Sequence, residues 1–584
     1  MKTLILAAAL AAGAVLLWSQ QAAPAGHDVE LQAMRDEIER SRHMSLPNLE
    51  PPYFVQYLMD HGTNYTVSAS LGGLLSERRE EVRSPQVTLR VGDYTFDNTN
   101  YAGSGFNSGA RYALGRFPLE ERYDILRRDL WLMTDSAYKA AVEAISRKRA
   151  ALRNLTQSEK LNDFAKAQPV KHVRPLSSLT IDERDWSGRV REISAQFARY
   201  PEVKNSSVEL ESSAGGIVLV NSEGTEVREP ESVSLVRLRA MAQAADGMTV
   251  RDAITFHAIA PMYLPGQVET ERSVKTMSEN VIALSKAPKG EDYSGPVLFE
   301  GVAGPQVFAE VLGKNLVLTR RPVSEGGRGG GFQPSELEGR IGARVLPEFF
   351  DVVDDPTQTE WRGRPLFGHY EVDREGVVPT PLRLVEKGAL KSYLLTRQPV
   401  RGFEGSNGRA RLPGSYGAAT ATFSNLFVRA TETVPVADLK KKLIELCAAR
   451  SKPYGILVRK MDFPSSASLD EARRLLQGIQ GRPVSIPLLA YKVFPDGHEE
   501  LVRGVRFRGL NVRSLKDILA AGDDTVLLEF MDNAAPFALI GGGGFTAETA
   551  VIAPSILVDD LELHPIEEEL PKLPVVPPPT LAAR

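Results

Sequence analysis

The spacing of apolar residues predicts an α+β fold, with an N-terminal α+β half of long helices and strands and a C-terminal half that is mostly antiparallel β. Two observations carry this. Before residue 290, alternating runs such as Val87, Leu89 and Val91 are interleaved with helical stripes such as Leu126, Leu130 and Met133. Beyond it, long helical patterns are few and short strand-like runs are separated by frequent turn residues. At 584 residues the chain is too long for one core, and 42% hydrophobic with 25% charged residues is a globular composition.

In chain order, Leu31, Met34, Ile38 and Arg42 stand at helical intervals and predict an exposed amphipathic helix over residues 29–44, closed by Pro47, Pro51 and Pro52. Tyr65 to Phe96 predicts antiparallel strands, with a turn at Val91-Gly92-Asp93-Tyr94. Pro118 to Leu155 is the longest helical material, with a restart capped by Thr134 or Asp135. Its basic run Arg147-Lys148-Arg149 reads as a solvated face. Trp186, Val190, Ile193 and Phe197 mark a further helix. From Ser207 the period becomes alternating, with a turn at Ser222-Glu223-Gly224, and Val274 to Ser285 is helical again. Further strands are expected at Leu382 to Val385, Leu488 to Val493, Val502 to Phe507 and Val526 to Phe530, with a hairpin turn at Pro495-Asp496-Gly497. Pro288-Lys289-Gly290 marks the main division. The expected organisation is a signal peptide over 1–25, an α+β region over 26–290 with a break near 205, a mostly β region over 291–570 and a proline-rich tail over 571–584.

The leader combines Lys2, an apolar run from Leu4 to Leu17 and small residues at Ala22, Ala23 and Ala25. That run is shorter than the roughly 18 residues that cross a bilayer, so a secretory signal peptide is expected, with an uncleaved anchor as the alternative. The mature protein is then expected to be secreted or periplasmic, with no integral membrane domain. A net charge of -4 and a pI near 6.2 give no nucleic-acid footprint. The single cysteine, Cys447, sits among Leu439, Leu443 and Leu446 at helical spacing and reads as a buried structural thiol. The glycine-rich run 325–331 lacks the Lys-Ser/Thr of a phosphate loop and reads as a mobile loop.

The stretch from Tyr293 to Leu312 places a short strand, a glycine-bearing turn and a helix in succession, with Val307, Val311 and Leu312 expected on one face and Glu310 outward. It resembles the segment that carries the zinc pattern H-E-x-x-x-H in the TldD/PmbA family of peptidases. On that pattern Phe299 stands at the first histidine, Glu300 at the glutamate and Gly304 at the second histidine. Further landmarks follow in the family's order: Val352 to Thr357, Phe367-Gly368-His369-Tyr370, Asp373 to Gly376, Asn407-Gly408 and Asn425. The family's third ligand is a cysteine in a glycine-rich segment, whose counterpart here, Ile540 to Thr546, has none. Neither a phenyl ring nor a glycine donates a lone pair to zinc. Four carboxylates, Asp354, Asp355, Asp373 and Glu375, read as turn formers, with a cation site as the alternative. No two of the eight histidines are spaced as a helical ligand pair, and His498-Glu499 lacks the second histidine of a zincin.

The resemblance implies a non-catalytic, TldE-like subunit that binds peptide or unfolded protein, as a homodimer or as a heterodimer with a TldD-type paralogue. No metal ligand and no cofactor is then expected, and Glu300, the one candidate catalytic residue, is a relic or a polar contact to the partner or substrate. Two alternatives are an active metallopeptidase holding zinc through other ligands, and a secreted binding or scaffold protein without enzymatic activity.

Overall fold

The computed structural model describes residues 28–44, 47, 49–102, 111–113, 117–153, 160–324, 332, 334–414, 417–462, 484–533 and 546–567. The leader, the glycine-rich runs 325–331 and 540–545 and the proline-rich tail lie outside them. The fold is α+β.

The N-terminal half is one seven-stranded sheet with helices on it. It begins with α1 (Val29–Arg42), capped by Asp28, whose carboxylate accepts the Leu31 N–H at 2.9 Å. Two long strands follow, β1 (Pro52–Ser70) and β2 (Gly73–Val91), then α2 (Tyr123–Leu152), α3 (Glu183–Ala195), β3 (Asn205–Asn221), β4 (Glu226–Gln243), β5 (Thr249–Ala258) and α4 (Gln267–Lys286). The long strands run β2-β1-β3-β4 with antiparallel pairing throughout, and β5 pairs with β4. The β3 strand starting at Asn205 therefore joins the same sheet as β1.

Alternation along β1 assigns its two faces. Val55, Tyr57 and Met59 pack under α1 and α2, and farther along the same face Tyr65 and Val67 pack under α3 and α4. The opposite face, through Leu58, Leu219 and Val227, receives Val372 of the C-terminal half.

Three local expectations are corrected here. The turn between the first two strands is Leu71-Gly72, with φ of 50° and 85°, not Val91 to Tyr94, which follows β2. The α2 helix does not restart at Thr134, because the Thr134 hydroxyl donates to its own helix at Leu130 O (2.7 Å) and meets Tyr57 Oη at 2.6 Å. Lys148 is not solvated: its ammonium donates to the carbonyls of Asp97 (3.0 Å) and Thr99 (2.8 Å) and to the Asp163 carboxylate (2.5 Å). Its long stem crosses apolar surface to reach those acceptors.

Among the described residues the C-terminal half holds two large sheets, besides short two-stranded ones. Its main elements are β6 (Tyr293–Phe299), α5 (Ala303–Val307), β7 (Phe350–Asp354), β8 (Leu382–Glu386), β9 (Asn425–Ala430), α6 (Val436–Ala449), β10 (Gly455–Met461), β11 (Pro487–Val493), β12 (Glu499–Val502), β13 (Val505–Arg508), β14 (Val526–Asp532), β15 (Ala547–Ala553) and β16 (Ile556–Pro565). One sheet runs β8-β7-β9-β15-β14 and the other β12-β11-β10-β6-β16-β13, mostly antiparallel, with parallel pairs at β9-β15 and β10-β6. The expected strand over Val502 to Phe507 is two strands, broken at Gly504 where φ is +66°. The expected hairpin turn at Pro495 to Gly497 joins β11 to β12. Phe299, Val307, Phe308 and Leu312 lie between the two sheets, in a core shared with Val352, Val428, Val551 and Val558. The strand-turn-helix stretch is thus the centre of the C-terminal half.

Candidate functional site

The β6 strand delivers Phe299 into the core, where the residue is fully buried and its ring centroid lies 5.6 Å from that of Phe507. The chain then turns at Glu300 and Gly301, with the Glu300 N–H on Val458 O and the Gly301 N–H on the Ser555 hydroxyl. Gly304, the second residue of α5, lies against the crossover between β15 and β16. A Cβ there would stand 2.4 Å from the Pro554 carbonyl oxygen, closer than any side chain tolerates. The position that aligns with the second histidine is therefore filled by backbone.

Glu300 is half-buried and engaged. Its carboxylate accepts from Arg459 Nε at 2.7 Å, and the same guanidinium reaches both oxygens of Glu499, at 2.7 and 3.0 Å. Lys440 adds a 2.7 Å bond to Glu499. The group is an ion-pair chain along β10 and β12. The donor set at the motif does not suit zinc: Phe299 offers carbon, Gly304 offers no side chain, and the Glu300 carboxylate is held by a cation. Among the described residues there is no group of three or more His, Cys, Asp or Glu side chains placed to hold a metal ion.

Glu310 departs from the expected outward orientation. Residues Phe308–Leu312 form a π turn, and Glu310 is 3% exposed. Its carboxyl accepts from Gln306 Nε2 at 2.8 Å and from the Ser485 N–H at 2.6 Å, and burial pushes it up to about 7. Gln306 also donates to Asp462 O at 2.9 Å, and Asp462 pairs with Arg251 of β5. The i, i+4 spacing of Gln306 and Glu310 was the available signal for this contact.

Most family landmarks knit the β-domain together. Asp354 and Arg409 form a fully buried pair at 2.9 Å, and Asp355 accepts the Thr357 N–H at 3.0 Å in an Asx turn. Asp373 accepts backbone N–H groups of Glu375, Val377 and Ala410, and Glu375 accepts that of Arg397. These four carboxylates have separate partners and do not converge. Asn425 holds Gly368 and the 355–358 turn, and Asn407 holds Tyr393 and Leu395. The histidines are likewise dispersed. His498 stacks on Phe494 and meets Asp496 at 2.6 Å, His61 meets Glu30 at 3.0 Å, and His257 is buried beside Phe367 and lowered to about 3 by burial. Cys447 is buried on α6, as expected, and burial raises its thiol.

A cavity of about 290 Å³ separates β4 from the 366–374 segment. Glu229 on its wall accepts the N–H groups of Glu371 (2.5 Å) and Val372 (2.8 Å), and burial pushes its carboxyl up to about 7. A larger cavity, of about 700 Å³, lies where the segment after the motif helix meets Asn100, Leu152 and Leu161.

Residues 322–461 match the PmbA/TldA metallopeptidase C-terminal domain. A metalloprotease of Archaeoglobus fulgidus is 37% identical over 78 residues, 13% of this chain and 17% of that relative's length. TldE from Thermococcus kodakarensis superposes with a TM-score of 0.55 at 13% identity, over 92% of this chain and 99% of its own. A protein described as a modulator of a DNA gyrase, from Thermotoga maritima, gives 0.55 at 14% identity over 87% and 96%. At such identities the likeness to the two solved structures is one of fold. Residues 322–461 are thus similar to the C-terminal domain of the PmbA/TldA metallopeptidases, the chain spans about a sixth of the metalloprotease relative it matches, and its likeness to TldE over the greater part of its length is one of fold.

Proposed function

We propose that this chain is a non-catalytic, TldE-like subunit that binds peptide and acts in proteolysis with a zinc-bearing partner. The observation that carries the reading is the closed position at Gly304: any side chain there meets the Pro554 carbonyl, so the zinc pattern cannot be regained by one exchange. Phe299 in the core and Glu300 on Arg459 support it from the same turn. A general base without a metal-bound water to act on has no role, and on this reading Glu300 is a structural ion-pair partner.

Pairing is supported by apolar surface on the β5–α4 connection and the start of α4, where Met262 is 80%, Tyr263 51% and Val268 72% exposed. Peptide would be held by strand addition at a sheet edge. On this reading the activity lies outside the cytoplasm or in a periplasm, which the signal-like composition of the leader supports. The test is affinity purification from the native host with subunits identified by mass spectrometry. The expected result is a co-purifying TldD-type chain with an intact H-E-x-x-x-H and peptide cleavage only when both are present. Cleavage by this chain alone refutes the reading.

A further inference from the structure

The larger cavity shares no lining residue with the turn at Phe299 to Gly304. Its volume of about 700 Å³ falls in the range of sites that enclose small organic ligands. Leu161, Leu318, Ile341, Val400 and Phe403 give it an apolar wall. Asn100 also lines it, 1% exposed, at a φ of +57°. The Asn100 backbone carbonyl accepts the Val323 N–H at 2.9 Å, but its side-chain Nδ2 is buried with no hydrogen-bond partner. A buried donor without an acceptor is costly, and a ligand that supplies one recovers that cost.

The charge on the wall is cationic, with three arginines against Glu338. Arg320 is committed to Asp163 at 3.1 Å. Arg321 is exposed at the rim, lies over the Phe332 ring at 5.3 Å and makes no ion pair among the described residues. The cavity thus offers a cation at its mouth, a neutral donor in its buried wall and apolar surface besides. A fatty acid would satisfy the cation and leave the donor unpaired. A peptide end satisfies both.

We propose that this cavity binds a short apolar peptide by its free carboxyl end, with the carboxylate on Arg321, a backbone carbonyl on Asn100 Nδ2 and apolar side chains against Leu318 and Phe403. The choice of peptide rests on the peptide-binding reading above; the site itself rests on the cavity.

The test is calorimetric titration of the full chain with N-acetyl-trileucine and with its C-terminal carboxamide. The acid is expected to bind at least about tenfold more tightly than the amide, since it alone carries the charge that a charge-assisted bond to Arg321 requires. Arg321→Gln at the exposed rim should abolish that discrimination. Asn100→Gly, which keeps the left-handed backbone, should weaken both peptides. Equal binding of acid and amide, unchanged in both variants, overturns the site and leaves peptide binding elsewhere intact. Binding of dodecanoate without either peptide, or of none of the three, also overturns it. The subunit reading is decided separately, by co-purification and cleavage.

Discussion

Restoring the zinc pattern by Phe299→His and Gly304→His is expected to unfold the C-terminal half rather than create a metal site. Phe299 is fully buried against Phe507, and deleting such a ring costs about 3–5 kcal/mol. A histidine recovers part of that volume but brings two ring nitrogens that need partners, so about 3 kcal/mol is a fair expectation. At Gly304 the new Cβ would stand 2.4 Å from Pro554 O and 3.3 Å from Ser555 Cα. Both contacts are backbone of the crossover between two sheets, which cannot move aside as a flexible side chain would. Overpacking of this kind costs about 1–3 kcal/mol before the imidazole is accommodated. The sum, about 5 kcal/mol or more, approaches the whole stability of many domains. Urea denaturation of the single and double variants, with EDTA and then with excess zinc, measures it. A double variant as stable as the wild type, or one markedly stabilised by zinc, would refute the reasoning.

Three further outcomes follow from the fold. Lys148→Ala leaves the carbonyls of Asp97 and Thr99 without the ammonium and Asp163 with Arg320 and the Asp97 N–H, and should cost about 1–3 kcal/mol by urea midpoint, whereas the neighbouring exposed Arg147→Ala should cost little. Leu71→Asn places a residue suited to positive φ before Gly72 in the β1-β2 turn and should stabilise by about 0.5–1 kcal/mol. Burial raises Glu310 from 4.5 to about 7, so the folded chain keeps a proton that the unfolded chain has lost, and stability falls as pH rises through that window. Glu310→Gln should flatten the fall in urea midpoint between pH 5 and pH 8, and an unchanged slope would count against the buried position of Glu310.

The parts of the fold that repeat a period were readable in the chain. Trp186, Val190, Ile193 and Phe197 form the buried stripe of α3 and its extension, and the Pro495 to Gly497 turn sits where expected. What escaped has particular causes. A π turn shifts the angular phase of a helix, which carries Glu310 from the predicted outer face to the core. Leucine at a left-handed turn position carries no turn signal, so the β1-β2 hairpin was not visible at Leu71. Lys148 is solvated by pattern and buried in fact because its acceptors, Asp97, Thr99 and Asp163, lie on loops far from it in sequence. At the site, the absence of zinc-donating atoms at Phe299 and Gly304 was legible from residue types alone. The pressure of Pro554 on Gly304, and a cavity drawing on residues 100, 161, 318 and 403, needed the tertiary structure.

The most direct test of the central claim is the zinc content of this chain alone, purified without chelators, dialysed against zinc and then against buffer, and read by plasma mass spectrometry. A value far below one zinc per chain, with no cleavage of an unfolded peptide, is the predicted result. One tightly held zinc per chain together with cleavage would contradict the account.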